Sequence, residues 1–257
     1  MNRLLTVAAV AGLFLAGCDK REEARAYSQS AVDAALADPA RQKHRDGADE
    51  RRKPRELVSL SGIKPGDKVL DLIPGDGYWT RIFSKVVGPE GKVYAVWPEA
   101  YARFTRGNVK TLEELSKDGY YGNVVAAVQP SAILSAPEKL DLVWTSQNYH
   151  DYPDEYMGED ADPELLNKAV FDMLKPGGVY MIIDHRAADG RGMSDTEKLH
   201  RIDPAIVRRQ VEQAGFRFAG ESNVLANPND PLNIPVFDKA IRGRTSQFAF
   251  KFVKPAD

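Results

Sequence analysis

Val69-Leu70-Asp71-Leu72-Ile73-Pro74-Gly75-Asp76-Gly77, followed at once by Tyr78-Trp79-Thr80-Arg81-Ile82-Phe83, is the stretch on which the reading of this chain turns. The apolar run from Val69 follows the turn signal Lys64-Pro65-Gly66-Asp67 and reads as a buried strand. Beyond the glycines, Trp79, Ile82, Phe83, Val86 and Val87 fall on one helical stripe that stops at Gly88, a C-cap signal. A glycine turn between a strand and a helix lets backbone amides approach a polar or anionic ligand, and the helix N-terminus adds a favourable dipole.

The same alternation continues to the end of the chain. Strand-like runs recur at Val93 to Trp97, Val124 to Val128, Leu140 to Thr145 and Val179 to Ile183. Asp162-Pro163 opens a helix that should reach Leu174 and end at Pro176-Gly177-Gly178, and Asp203-Pro204 opens another that ends at Gly215. Phe216 to Leu225 and Gln247 to Val253 supply a terminal pair of strands. Five strands linked by helices, then a pair, predict an α/β, Rossmann-like, doubly wound sheet, with its ligand at the carboxyl ends of the central strands.

Upstream of the domain, an apolar stretch from Leu4 to Leu15 leads into Leu15-Ala16-Gly17-Cys18, the pattern of a secretory signal ending in a lipobox. Twelve apolar residues fall short of the roughly 20 that cross a bilayer. The expectation is a signal peptide over 1–17, lipidation at Cys18, and a protein anchored to the bacterial cell membrane at its periplasmic face. Residues 18–54 then read as a helical tether, with Tyr27, Ala31, Val32, Ala35 and Leu36 at helical spacing, and 55–257 as the domain. Cys18 is the only cysteine, so no disulfide is available. A net charge of −2 gives no sign of nucleic-acid binding. The expected partners are a small-molecule substrate and, through the anchor, the membrane, with the protein a monomer or weak dimer.

With Lys-Pro-Gly-Asp before the first strand, Gly91-Lys92-Val93-Tyr94-Ala95-Val96 after the first helix and Leu174-Lys175-Pro176-Gly177-Gly178 later, the chain resembles a class I S-adenosylmethionine (SAM) dependent methyltransferase. More closely it resembles an exported bacterial branch of predicted methyltransferases with a Pro-Gly-x-Gly-Tyr loop, over roughly residues 45 to 257. The resemblance implies a seven-stranded sheet with its last strand antiparallel, SAM as cofactor and methyl transfer to an unidentified acceptor. It places Asp71 at the methionine end of the cofactor, lets the chain pass close to it at Gly75 and Gly77, and puts Tyr78 over the pocket. Trp97 falls where the family has a ribose-binding acid, which leaves Glu99 for that role if the loop folds it back. Pro74 should push Ile73 into an extended conformation, so the loop is not expected to copy a glycine of positive φ. Gln129-Pro130-Ser131 stands where an acid often meets the adenine.

After the fourth strand comes Ser146-Gln147-Asn148-Tyr149-His150-Asp151-Tyr152. In this cluster Asn148 is assigned to the cofactor and Tyr149 to the substrate, while His150 would take a proton from an oxygen or nitrogen nucleophile with Asp151 orienting it. His185 and Arg186, leaving the fifth strand, are assigned to substrate, and His200 joins the same end of the sheet. His150 and His185 with Asp184 or Asp151 would make a donor set, but no tight ligand spacing supports a metal and none is assigned. The segment from Asn227 to Arg244 suits a substrate lid. Two other readings stay open: an exported ligand-binding lipoprotein that keeps the fold without the chemistry, and a different enzyme using the His/Asp rim.

Overall fold

A computed structural model describes residues 26–41, 47–131, 133–158 and 161–256. The expected signal peptide over 1–17, Cys18 and His44 lie outside the described residues. Helix α1 runs through residues 26–36. There follow α2 (Ala48–Arg52), α3 (Pro54–Ser61), β1 (Lys68–Leu72), α4 (Tyr78–Val87), β2 (Lys92–Pro98), α5 (Glu99–Ala102), α6 (Arg106–Leu115), β3 (Val124–Gln129) and β4 (Leu140–Ser146). The chain continues through α7 (Pro163–Met173), β5 (Leu174–His185), α8 (Thr196–Leu199), α9 (Pro204–Gln213), β6 (Arg217–Ser222) and β7 (Gln247–Val253).

The seven strands lie in the order β3-β2-β1-β4-β5-β7-β6. β1 pairs in parallel with both β2 and β4, and β7 runs antiparallel to β5 and β6. Helices cover both faces of the central strands, so β1 buries Val69, Leu70 and Leu72 together, the near-continuous apolar pattern of such sheets. Trp79 and Phe83 of α4 clasp Trp144 of β4 at ring separations of 4.7 and 5.1 Å, which fixes that helix beside the loop leading into it. Winding reverses between β1 and β4, and the carboxyl ends of those two strands form the crevice.

Helix starts follow the local signals. Asp162 accepts from the amides of Glu164 and Leu165, and Asp203 from that of Ala205, each next to a proline at the first helical position. One stop signal is used differently. Pro176-Gly177-Gly178 lies inside β5, because Leu174 pairs with Leu140 before a register shift and the Gly177 amide donates to the Lys254 carbonyl at 2.9 Å.

The segment expected to be a tether packs on the domain where it is described. Val32 and Ala35 enter the core, the Ser28 hydroxyl donates to the Ile63 carbonyl, and buried Arg41 pairs with Asp49 at 2.7 Å. Asp49 in turn accepts from the Tyr78 hydroxyl at 2.5 Å, tying this segment to the start of α4. Tyr27 stays exposed, so the buried stripe is narrower than the spacing of apolar residues suggests.

Candidate active site

The loop after β1 turns left-handed at Ile73, with φ 54°, contrary to the extended conformation expected ahead of Pro74. Tertiary contacts override the local preference: the Ile73 amide donates to the Val96 carbonyl at 2.8 Å and the side chain is buried. A β-branched residue held there costs on the order of 1–3 kcal/mol, a cost that concentrates at functional sites. Gln147 (φ 65°) and His200 (φ 53°) adopt the same region, so three of the five non-glycine residues with positive φ among those described stand round one cavity.

That cavity, of about 300 Å³, opens between the Ile73–Asp76 loop and the end of β4. Gly75 borders it at φ 60°, and a Cβ there would meet no atom within 4 Å. Gly77 differs: at φ 85° its Cβ would lie 2.4 Å from Leu112 Cδ2, so its small size serves the packing of α6 against α4 and not the cavity.

Of the residues singled out in the sequence, Gly75, Tyr78, Asn148, His150, Asp151 and His185 line the cavity. Asp71, Glu99, Tyr149 and Arg186 do not. Asp71 lies beneath the loop, where it accepts a 2.6 Å bond from the Thr80 hydroxyl. Glu99 is exposed and lines a separate surface hollow with Arg103 and Arg106, so the loop does not fold it back. Trp97 is wholly buried and forms no part of the cavity wall. The Tyr149 hydroxyl is consumed by Asn167 and Gln210 at 2.8 and 3.2 Å, a structural role in place of the substrate contact expected. Arg186 reaches sideways to Asp189.

At the far wall, Asp184 from the end of β5 grips His150 twice. Its Oδ2 accepts from the His150 amide at 2.8 Å, and its Oδ1 lies 2.7 Å from the ring Nδ1. Asp151 meets the other ring nitrogen, Nε2, at 3.1 Å, so the residue that orients the ring is Asp184 and not Asp151 alone. Burial alone would depress the imidazole, but the charges of Asp184 and Asp151 outweigh it and hold His150 well above its ordinary value. Both ring nitrogens thus face carboxylates, an arrangement that favours the protonated ring and weighs against the proton-accepting role expected of it. Burial pushes the His185 imidazole the other way, down to about 3, and its Nδ1 lies 2.9 Å from the Thr245 hydroxyl.

Arg52, Tyr101, Asn108, Tyr156 and Phe237 also line the cavity, and the sequence reading missed them. Only Tyr101 carried a usable signal. It follows β2 two residues after Glu99, about 200° round a helix, which puts it on the face opposite that glutamate. Its hydroxyl accepts from Asn148 Nδ2 at 3.1 Å, linking the ends of β2 and β4.

Burial raises the Asp71 carboxyl to about 7 despite the Thr80 hydroxyl and the nearby Arg52 charge. Its folded value thus exceeds the unfolded one near 3.9, so the stability it contributes in protonated form is present below pH 4 and lost as pH rises towards 7. The loss is on the order of 4 kcal/mol. Asp71→Asn keeps an acceptor for Thr80 and is expected to shrink the fall in melting temperature between pH 5 and pH 8. An identical pH slope in the variant would show that Asp71 is ionised throughout.

Strand order, the reversed terminal strand and a glycine-edged cavity at the switch point together define the fold of the class I SAM-dependent methyltransferase superfamily. A solved SAM-dependent methyltransferase from Aquifex aeolicus superposes with a TM-score of 0.57 over 88% of this chain and 97% of its own, at 20% identity. In sequence, the chain is 33% identical over 132 residues to the ubiquinone/menaquinone biosynthesis C-methyltransferase UbiE of Hydrogenovibrio crunogenus, covering 51% of this chain and 46% of that one. It is 30% identical over 174 residues to the enzyme of the same name from Cronobacter sakazakii, covering 65% and 63%. The chain thus spans about half the length of the first of these curated relatives and under two thirds of the second. No family model matches it.

Proposed function

We propose that this protein is a SAM-dependent methyltransferase acting on a small acceptor molecule. The observation that carries the reading is the space beside Gly75, at the junction of β1 and α4, where a left-handed turn borders a cavity and a Cβ would meet no atom within 4 Å. Neither Ile73 nor Trp97 plugs it, and its size falls at the lower end of the range for ligand sites. Asp76 and Asn108 border it, polar residues of the kind that meet hydroxyl-bearing ligand groups and that do not depend on the acid missing at Trp97. SAM, when bound, supplies an electrophilic methyl on a sulfonium. The chain's own residues then position the acceptor: Asn148, Tyr101 and the His150 rim wall the opposite side and exclude water from the line of transfer. Sequence similarity to C-methyltransferases named UbiE supports the reaction class, while the acceptor is left to experiment. Calorimetric titration with SAM and S-adenosylhomocysteine tests it. Saturable 1:1 binding of both is expected, and the absence of heat with either ligand would leave a fold without its cofactor.

We further infer that the protein is exported and lipid-anchored through Cys18, on the strength of the Leu15-Ala16-Gly17-Cys18 sequence that ends an apolar leader. Among the described residues no helix is long and apolar enough to cross a membrane. In a bacterial host, Cys18→Ala is expected to move the protein from the membrane fraction to the soluble one. Unchanged partition would remove the anchor.

A further inference from the structure

We propose that His150, Asp151 and His200 form a binding site for one first-row divalent cation, of which zinc is the type, at the acceptor end of the cavity. Three donor atoms converge there. His150 Nε2 lies 3.1 Å from Asp151 Oδ1, Asp151 Oδ1 lies 3.8 Å from His200 Nδ1, and the donor atoms of all three residues lie within 4.8 Å of one another. Bonds of about 2.0–2.1 Å to one ion at octahedral or tetrahedral angles place neighbouring donors about 2.8–3.4 Å apart, so the His150–Asp151 pair already fits and the His200 ring must draw in towards both to complete the set. Two imidazoles and a carboxylate suit zinc, iron or cobalt over magnesium or calcium.

The surroundings point the same way. Metal-bound histidines characteristically give their second ring nitrogen to a carboxylate, and Asp184 occupies His150 Nδ1 at 2.7 Å while also accepting from its amide. That leaves Nε2 as the nitrogen for an ion, on the side where Asp151 Oδ1 meets it at 3.1 Å. Asp151 and Asp184 are both buried, so two carboxylates face the place where a cation would sit. His200 is held in a left-handed conformation at φ 53° and backed by the Phe237 ring at 4.8 Å, a strained placement that turns its ring towards Asp151. All three residues border the cavity, so a coordination position would stay open to it for an oxygen atom of the acceptor. The donor set differs from that considered in the sequence, because His185 turns to Thr245 and His200 takes its place.

The site stands independently of cofactor binding, and its test contains no SAM. Full-length protein treated with chelator and dialysed is titrated with zinc chloride by calorimetry and with cobalt chloride by visible absorption. One ion per chain is expected, with the ligand-field bands of nitrogen and oxygen coordination. His200→Ala, at a half-buried position where folding should survive, is expected to weaken binding by more than about 100-fold, since even an outer-shell partner is worth about 10–100-fold. Asp184→Asn, which would touch no ion, is expected to weaken it by about 10–100-fold. Circular dichroism shows which variants are folded, and His200→Ala decides the matter if Asp184→Asn is not. No stoichiometric uptake by the wild type, or uptake unaltered in folded His200→Ala, overturns the proposal.

Discussion

The Asp230→Ala variant is expected to lose about 3–5 kcal/mol of folding stability, the cost of leaving a buried charge without its partner. Arg201 and Asp230 face each other through two bonds of 2.9 and 2.8 Å, and neither side chain has exposed surface. Arg201 also donates to the carbonyls of Ile234 and Arg186, at 3.1 and 2.9 Å. Asp230 accepts from the amides of Ser246 and Leu232, at 2.6 and 3.2 Å. The pair therefore ties the segment at Asp230 and Ile234 to Arg201, which also holds Arg186 just after β5, and this argues against a substrate lid there. Urea denaturation measures the loss. Arg201→Met combined with Asp230→Leu should lose far less than the two single changes added together, because it removes the charges as well as the bonds. A shift below about 1 kcal/mol in Asp230→Ala would mean that the guanidinium finds other partners or water. Loss of the pin should also displace Val236 and Phe237, which the segment delivers to the cavity.

For Gly75→Arg, SAM affinity is expected to fall by at least about 100-fold while the protein stays folded. A Cβ at this cavity-bordering position would meet no atom within 4 Å, so an arginine is expected to occupy the ligand space without striking the core. Its φ of 60° adds strain of about 1–2 kcal/mol for any residue with a Cβ, which lowers the melting temperature by a few degrees. Gly77→Ala supplies the contrast: a methyl group 2.4 Å from Leu112 and 2.8 Å from Arg81 must push α6 or its side chains, so the loss should appear in stability before binding. The two variants separate a glycine that makes room for a ligand from one that makes room for a helix. Undiminished SAM binding by folded Gly75→Arg would place the cofactor elsewhere.

Much of the architecture was legible because it rests on neighbours in sequence. The α4 stripe runs from Tyr78 to Val87 as the spacing predicts, and β7 runs from Gln247 to Val253. Prolines after Asp162 and Asp203 mark helix starts that the caps then make. Failures came where a residue answers to distant contacts. Ile73 defies its proline because β2 holds its amide, and Tyr149 turns inward because Asn167 and Gln210 await its hydroxyl. Glu99 was chosen for its nearness to β2, yet the first turn of α5 rotates it away and brings Tyr101 inward.

By itself the sequence determined the alternation of strands and helices, the glycine turn after β1 and the rim segment that carries His150. Apolar periodicity, caps and turn residues express the preferences of a few consecutive peptide units, and these survive with little help from the rest of the chain. Only the tertiary structure decided which groups face one another across the crevice: Arg52 from the N-terminal helices, Tyr101 after β2, His200 before α9, and Asp184 behind His150. Their meeting depends on strand order and on burial energies summed over the whole core, and no local rule relates residues so far apart.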